Sequence, residues 1–173
     1  MDLNGVTEFA PATDATWRDG DAWLGGGTFL FSQPQPRVTR LLDLHAFGWP
    51  AVEEADDGVL IAATCTLAQL ARWQPAVSSY APVAALARQC CHALLGSFKV
   101  HNIATVGGNI CLSLPAGPMT ALAAALDGTA TIWAAGGSRR RVRVAGFVTG
   151  ERANVLRPGE LLRSVFLPAR ARG

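Results

Sequence analysis

Charge is scarce in this chain of 173 residues: only 16% are Asp, Glu, Lys or Arg, and the formal net charge is +2. So small an excess does not point to an electrostatic nucleic-acid binder. Metal ligands are equally sparse. The four cysteines, Cys65, Cys90, Cys91 and Cys111, form no Cys-x-x-Cys motif and stand at no ligand-like spacing from the three histidines, so no metal site is expected. Adjacent Cys90 and Cys91 on one helix do not readily bridge, and free thiols in a reducing cytoplasm follow. The Met1 to Gly5 terminus lacks the basic and apolar regions of a secretory signal. Absent too are a Ser/His/Asp constellation and a paired-carboxylate motif, and His45, His92 and His101 lie in unrelated contexts. No catalytic residue is assigned, and any redox or group-transfer chemistry falls to a cofactor.

What the chain has is glycine in two concentrated places. Leu24-Gly25-Gly26-Gly27-Thr28-Phe29-Leu30 is one, and Ala104-Thr105-Val106-Gly107-Gly108-Asn109 is the other. Adjacent glycines leave backbone N–H groups open to direct contact with an anion, so each stretch reads as a turn of a phosphate or cofactor cradle. Neither matches known nucleotide loops. No Gly-Lys-Ser/Thr follows, as a Walker A loop requires, and no Gly-x-Gly-x-x-Gly precedes an acidic residue at Rossmann distance. Two such turns closing on one diphosphate-bearing ligand is the expectation. Residues 102–126 contain no Asp, Glu, Lys or Arg, but Gly107, Gly108, Pro115, Gly117 and Pro118 interrupt them, so no membrane span is expected.

Periodicity supplies the rest. A lead-in strand at Gly5 to Phe9, an apolar run at Ala22 to Leu24, a short helical segment from Thr28 cut by Pro34 and Pro36, and a strand at Val38 to Leu44 make a small βαβ-like unit. The acidic stretch Glu53 to Gly58 reads as a loop and subdomain boundary, giving a small N-terminal subdomain over 1–55 and a larger one over 56–173. There, Val59 to Ala63 predicts a strand and Thr66 a helix cap. Ala81 to Leu95 predicts a helix with Val83, Leu86, Ala87, Cys90, Cys91, Leu94 and Leu95 on its apolar face, ended by Gly96. Pro118 opens another helix, Gly136-Gly137 turns a hairpin whose second arm carries the basic cluster Arg139, Arg140, Arg141 and Arg143 as a solvated face, and Leu161 to Leu167 closes the chain as a strand. The class is α+β, with helices and mostly antiparallel strands in the larger subdomain.

Gly26-Gly27-Thr28, Leu42-Asp43-Leu44, Ile61 to Thr66, Asn102 to Ile110, Ala125-Leu126-Asp127 and Pro158-Gly159-Glu160-Leu161-Leu162 occur in the order seen in one family. Over nearly its whole length the chain resembles the FAD-binding medium subunit of molybdenum hydroxylases of the xanthine dehydrogenase, carbon monoxide dehydrogenase and aldehyde dehydrogenase type. The resemblance implies a two-subdomain flavin fold of the PCMH, vanillyl-alcohol-oxidase type. FAD would lie between the subdomains, with Leu24 to Leu30 around the diphosphate, Ala104 to Asn109 on diphosphate and ribityl groups, and Leu95 and Leu162 packed nearby. It implies partners as well: a large subunit carrying molybdopterin and a small one carrying 2Fe-2S clusters, with electrons passing through flavin to an acceptor such as NAD or quinone. Alternatives are an assembly subunit that keeps the fold without the activity, and a stand-alone flavin reductase of the same fold. Three departures stand out: Pro118 replaces an acidic residue, Phe29 replaces a small or acidic one, and the family's further C-terminal domain of about a hundred residues, an ordinary domain size, is not expected within these 173 residues.

Overall fold

A computed structural model describes residues 5–169. Two sheets organise it. The small one is parallel, in the order β1 (Glu8–Pro11), β3 (Arg40–Asp43), β2 (Asp21–Leu24). The connection from β2 to β3 runs through the first glycine turn and a single 3-10 turn at Leu30–Ser32, so the small βαβ-like unit has the expected form with a shorter helix. Its strands are tied by an ion pair: Arg40 Nε and Nη2 donate to the two oxygens of Asp21 at 2.7 and 2.6 Å. The Arg40 guanidinium, more than offsetting burial, holds the Asp21 carboxyl below the usual carboxylate range.

The larger sheet is antiparallel throughout, in the order β4 (Val52–Ala55), β5 (Gly58–Ala62), β10 (Glu160–Pro168), β6 (Thr129–Ala134), β7 (Arg139–Arg143). A two-stranded ribbon, β8 (Val148–Gly150) with β9 (Ala153–Asn154), precedes β10 in the chain. Five helices accompany the sheet: α1 (Leu67–Arg72), α2 (Ala81–Ala93), α3 (Phe98–Ile103), α4 (Val106–Leu112) and α5 (Pro118–Ala125). Val59, Ile61, Ala130, Ile132, Val165 and Leu167 of the strands bury one sheet face against Leu67, Ala87, Cys91, Ile110 and Leu122 of the helices. Burial pushes the Cys65 thiol up to about 12 and Cys91 up to about 11, so both serve as small apolar groups. All four cysteines are free. No helix among the described residues is long and apolar enough to cross a membrane.

Two sequence expectations change here. The acidic stretch is not a loop, because Glu53, Glu54 and Ala55 pair with Leu60, Val59 and Gly58 as one arm of a hairpin. Sheet membership therefore changes before Val52, ahead of the acidic residues. Glu54 gathers N–H donors from the segment between α1 and α2: the Trp73 indole at 3.0 Å, Ala76 at 3.1 Å and Val77 at 2.9 Å. Burial alone would raise its pKa, but those donors outweigh it and the carboxyl sits below its ordinary value. The second change is at α2, which stops at Ala93; Leu94 is its extended C-cap and Leu95 stands 99% exposed, outside the apolar face assigned to it.

The sheets meet through β10. Successive residues of this strand face opposite sides and so serve two cores, with a register shift following between Leu162 and Ser164. Leu162 joins the helix-covered core, while Leu161 packs with Leu42 and Leu44 of the small unit. At the shift, the Arg163 guanidinium stacks over Trp49 at 4.4 Å and Trp133 at 5.6 Å, with Phe47 parallel to Trp49 at 4.5 Å.

Candidate functional site

β2 ends at Leu24, and the chain turns through Gly25 to Phe29 before the 3-10 turn. Among the described residues, the N–H groups of Gly25, Gly26, Gly27, Thr28 and Phe29 donate to no acceptor in the protein. Gly27 takes a φ of +68°, a conformation that glycine adopts without strain. Gly26 is required for a second reason. A Cβ there would overlap the backbone carbonyl of Ile103, so the turn lies directly under the junction of α3 and α4.

That junction differs from its sequence reading. Residues 102–110 are not a loop: α3 ends at Ile103, Ala104 and Thr105 make the bend, and Gly107 and Gly108 stand in the first turn of α4. Thr105 is the N-cap, and its Oγ1 accepts from Gly108 N–H at 3.0 Å. The other leading donors are also taken, Val106 by Cys65 O at 2.8 Å, Gly107 by Ala63 O at 2.9 Å and Asn109 by Thr105 O at 2.9 Å. The bare N–H groups expected of this stretch are therefore spent on the fold. Its two glycines do different work. A Cβ at Gly107 would come within 2.5 Å of Ala63 Cβ and 2.8 Å of Ala63 O, so Gly107 is a packing residue at the end of β5. One at the exposed Gly108 would meet only Thr105 Oγ1 at 3.0 Å.

The two stretches nonetheless converge. Thr105 Oγ1 lies 3.0 Å from a Cβ built on Gly25 as it does for Gly108, and both stretches line one cleft of about 630 Å³. Gly25, Gly26, Gly27, Thr28, Phe29, Leu30, Leu95, Ala104, Thr105, Gly107, Gly108, Asn109 and Leu162 all contribute to its wall, Leu95 from the rim. Leu24 and Val106 do not. The Leu24 side chain lies beside Gly27, where its Cδ1 is 3.0 Å from a built Cβ, and Val106 is buried in the main core. Asn109 is also structural, since its Oδ1 accepts from Met119 N–H at 3.0 Å and so caps α5. Pro118, at the start of α5, lies outside the wall.

Sequence reasoning missed Trp23, Arg152, Glu160 and Leu161, which line the same cleft. Glu160 and Leu161 stand immediately before Leu162 on β10 and were within the quoted Pro158 to Leu162 motif. Glu160 is not a free acid. Arg140 donates to it through Nε at 2.9 Å and Nη2 at 2.6 Å, and Arg157 N–H adds a bond at 2.8 Å. The Arg140 guanidinium foremost, against the opposing effect of burial, brings the carboxyl down to about 2. Arg140 is thus turned away from the exposed row of Arg139, Arg141 and Arg143. Trp23 Nε1 donates to Glu160 O at 3.1 Å, joining the small unit to β10 across the cleft floor.

A larger groove, about 1290 Å³, runs between the β4–β5 turn, α2 and the end of β10. None of the site residues expected from the sequence lines it, and its wall contains neither glycine stretch. No group of three or more His, Cys, Asp or Glu side chains among the described residues is placed to hold a metal ion.

The comparisons with known proteins agree with one another. A family model described as the FAD binding domain in molybdopterin dehydrogenase matches residues 12–170. A xanthine dehydrogenase of Oryza sativa subsp. japonica is 30% identical over 137 residues, which is 76% of this chain and 10% of that protein. Among solved structures, carbon monoxide dehydrogenase from Hydrogenophaga pseudoflava superposes with a TM-score of 0.81 at 23% identity, over 97% of this chain and 61% of that one. Quinoline 2-oxidoreductase from Pseudomonas putida 86 does so with a TM-score of 0.79 at 22% identity, over 99% and 61%. The chain therefore spans a tenth of the plant enzyme and about three fifths of the solved chains.

Proposed function

Because the chain belongs to the family of FAD-binding domains of molybdopterin dehydrogenases, we propose that FAD occupies the cleft under the α3–α4 junction and that the chain is the electron-transfer flavoprotein component of a molybdenum hydroxylase. One observation carries this reading: a turn lining the cleft holds consecutive backbone donors with no acceptor among the described residues. Gly25 to Phe29 are half-buried or exposed, so their N–H groups stand open to a ligand, and a diphosphate is the part of FAD that satisfies several at once. The other residues fit the same ligand. Trp23, Leu161 and Leu162 supply the apolar wall that a flavin or adenine ring needs, and Gly108 leaves room beside Thr105 for close approach.

When bound, FAD supplies redox chemistry in both one- and two-electron steps. The chain's own residues bind, orient and exclude water. Gly25 to Phe29 donate to the diphosphate, Thr105 holds the two glycine stretches at a fixed separation, and Leu162 with Leu161 dries one side of the cleft. Glu160, held ionised by Arg140, takes no part in proton transfer. Electrons would enter from 2Fe-2S clusters on a small partner subunit, following substrate oxidation at molybdopterin on a large one, and leave to an external acceptor. Free cysteines fit a reducing compartment such as the cytoplasm. We place the division between the two subdomains between β3 and β4, since β4 pairs within the larger sheet. The Pro118 departure does not touch the cleft, since that residue stands outside its wall.

A visible spectrum of the purified protein before and after FAD addition tests the reading. Flavin absorbance that co-elutes with the protein, or quenching of added FAD fluorescence, is expected. A colourless protein that leaves FAD emission unchanged overturns it.

A further inference from the structure

Charge around the cleft is distributed unevenly. Among the described residues its lining contains a single cation, Arg152, and a single anion, Glu160, and the latter is neutralised by Arg140. Arg152 occupies the two-residue turn between β8 and β9 in a left-handed conformation, φ +55°. The turn is anchored without its side chain. Arg152 N–H donates to Ser113 O at 3.0 Å, and Asn154 Nδ2 donates to Cys111 O at 2.9 Å and Ser113 Oγ at 3.1 Å, fixing the ribbon to the C-terminal end of α4. From that fixed point the guanidinium reaches over the ring of Phe29 in the first glycine turn, 5.4 Å from the centroid. Among the described residues it makes no ion pair and donates no side-chain hydrogen bond to the protein. Phe29 itself is the residue that departs from the small or acidic type of the resembling family. The chain thus carries a cation over a turn of unsatisfied N–H donors, steered by an aromatic ring one residue beyond Thr28.

We propose that Arg152 is the counter-ion of the FAD diphosphate, held over the first glycine turn by Phe29. The inference rests on the FAD reading of the cleft and adds to it a charged contact from outside both glycine stretches. The backbone donors position the diphosphate and Arg152 neutralises it. An exposed guanidinium does this in a salt-dependent way, because its field falls off within a Debye length. It also makes part of the affinity specific to the diphosphate, since riboflavin carries no charge there.

The test is a fluorescence titration of the full chain, stripped of flavin, with FAD, ADP and riboflavin at low and high ionic strength. R152Q, R152K and F29L are compared with the unmodified protein, and thermal melts confirm that each is folded. At low salt R152Q should raise the Kd for FAD and for ADP about tenfold, the size of a lost charge-assisted contact. Riboflavin affinity should not move. High salt should close most of the gap, R152K should recover part of it, and F29L should show a smaller loss of the same salt-dependent kind. Unchanged FAD affinity in R152Q overturns the counter-ion while leaving the FAD reading intact. An equal loss for riboflavin, or one insensitive to salt, also overturns it, because Arg152 would then act through packing. Failure of the unmodified protein to bind FAD removes both.

Discussion

A side chain added at position 26 and one added at position 108 have opposite consequences, although both replace a glycine in a glycine-rich stretch. Gly26→Ala drives a Cβ into the Ile103 carbonyl, and forcing atoms into such a contact costs about 1–3 kcal/mol, which chemical denaturation will register as a lower midpoint with unchanged slope. At Gly108 an added Cβ meets only Thr105 Oγ1, at 3.0 Å, so Gly108→Val is tested at an exposed position. It should leave stability within about 1 kcal/mol, as exposed helix positions do, while weakening FAD binding sharply; full FAD affinity in that variant would remove position 108 from the ligand's path. The sequence marks where the glycines are but not what the missing Cβ would meet, since Ile103 and Ala63 are brought to Gly26 and Gly107 only by the fold. Glu160 is the residue where pH matters. Its carboxyl is lowered from 4.5 to about 2, mainly by Arg140, so the pair contributes stability in full above about pH 4.5 and loses it as pH falls toward 2. Acid unfolding followed by circular dichroism should show that loss, and Glu160→Gln should flatten the profile across the same window.

At the scale of elements, what was legible was periodicity and what was not was the fate of backbone donors. The strands β5 and β10, the Thr66 cap, the helix opened by Pro118 and the hairpin at Gly137 all announce themselves through spacing and cap chemistry. The α3–α4 pair does not, because two adjacent glycines are poor helix formers and nothing in the local sequence shows that Cys65 and Ala63 will accept the N–H groups of Val106 and Gly107. Tertiary partners overrode local preference there. The same holds for the acidic stretch, which reads as solvated until Glu54 is seen to collect donors from Trp73, Ala76 and Val77. Glu54→Ala should free the segment between α1 and α2. Hydrogen exchange at Ala76 and Val77 should speed up, with a loss of about 1 kcal/mol per hydrogen bond removed, while amides in the middle of α2 keep their protection.

At the scale of the molecule, a parallel sheet packs against the long strand β10 of an antiparallel one, and the candidate site sits where they meet. The chain contributes the cleft between them, and Trp23, Leu161 and the Gly26–Ile103 contact each join one side to the other. A ligand bound there bridges both units, so it stabilises the whole. With free FAD at about 100 times its Kd the gain is about 2.7 kcal/mol, which for a chain of this size raises Tm by several degrees; differential scanning calorimetry with and without FAD will show it, and an unmoved Tm at saturating flavin would mean that the cleft is not where FAD binds.

The indole of Trp23 has one further consequence. It lines the cleft, hydrogen-bonds to the backbone of β10 and lies 4.9 Å from the ring of Trp17. The molecule therefore carries an optical donor in the wall of its own site, at contact distance from whatever fills it. Flavins absorb where tryptophan emits, so occupancy is written into the protein's own ultraviolet fluorescence, without a label.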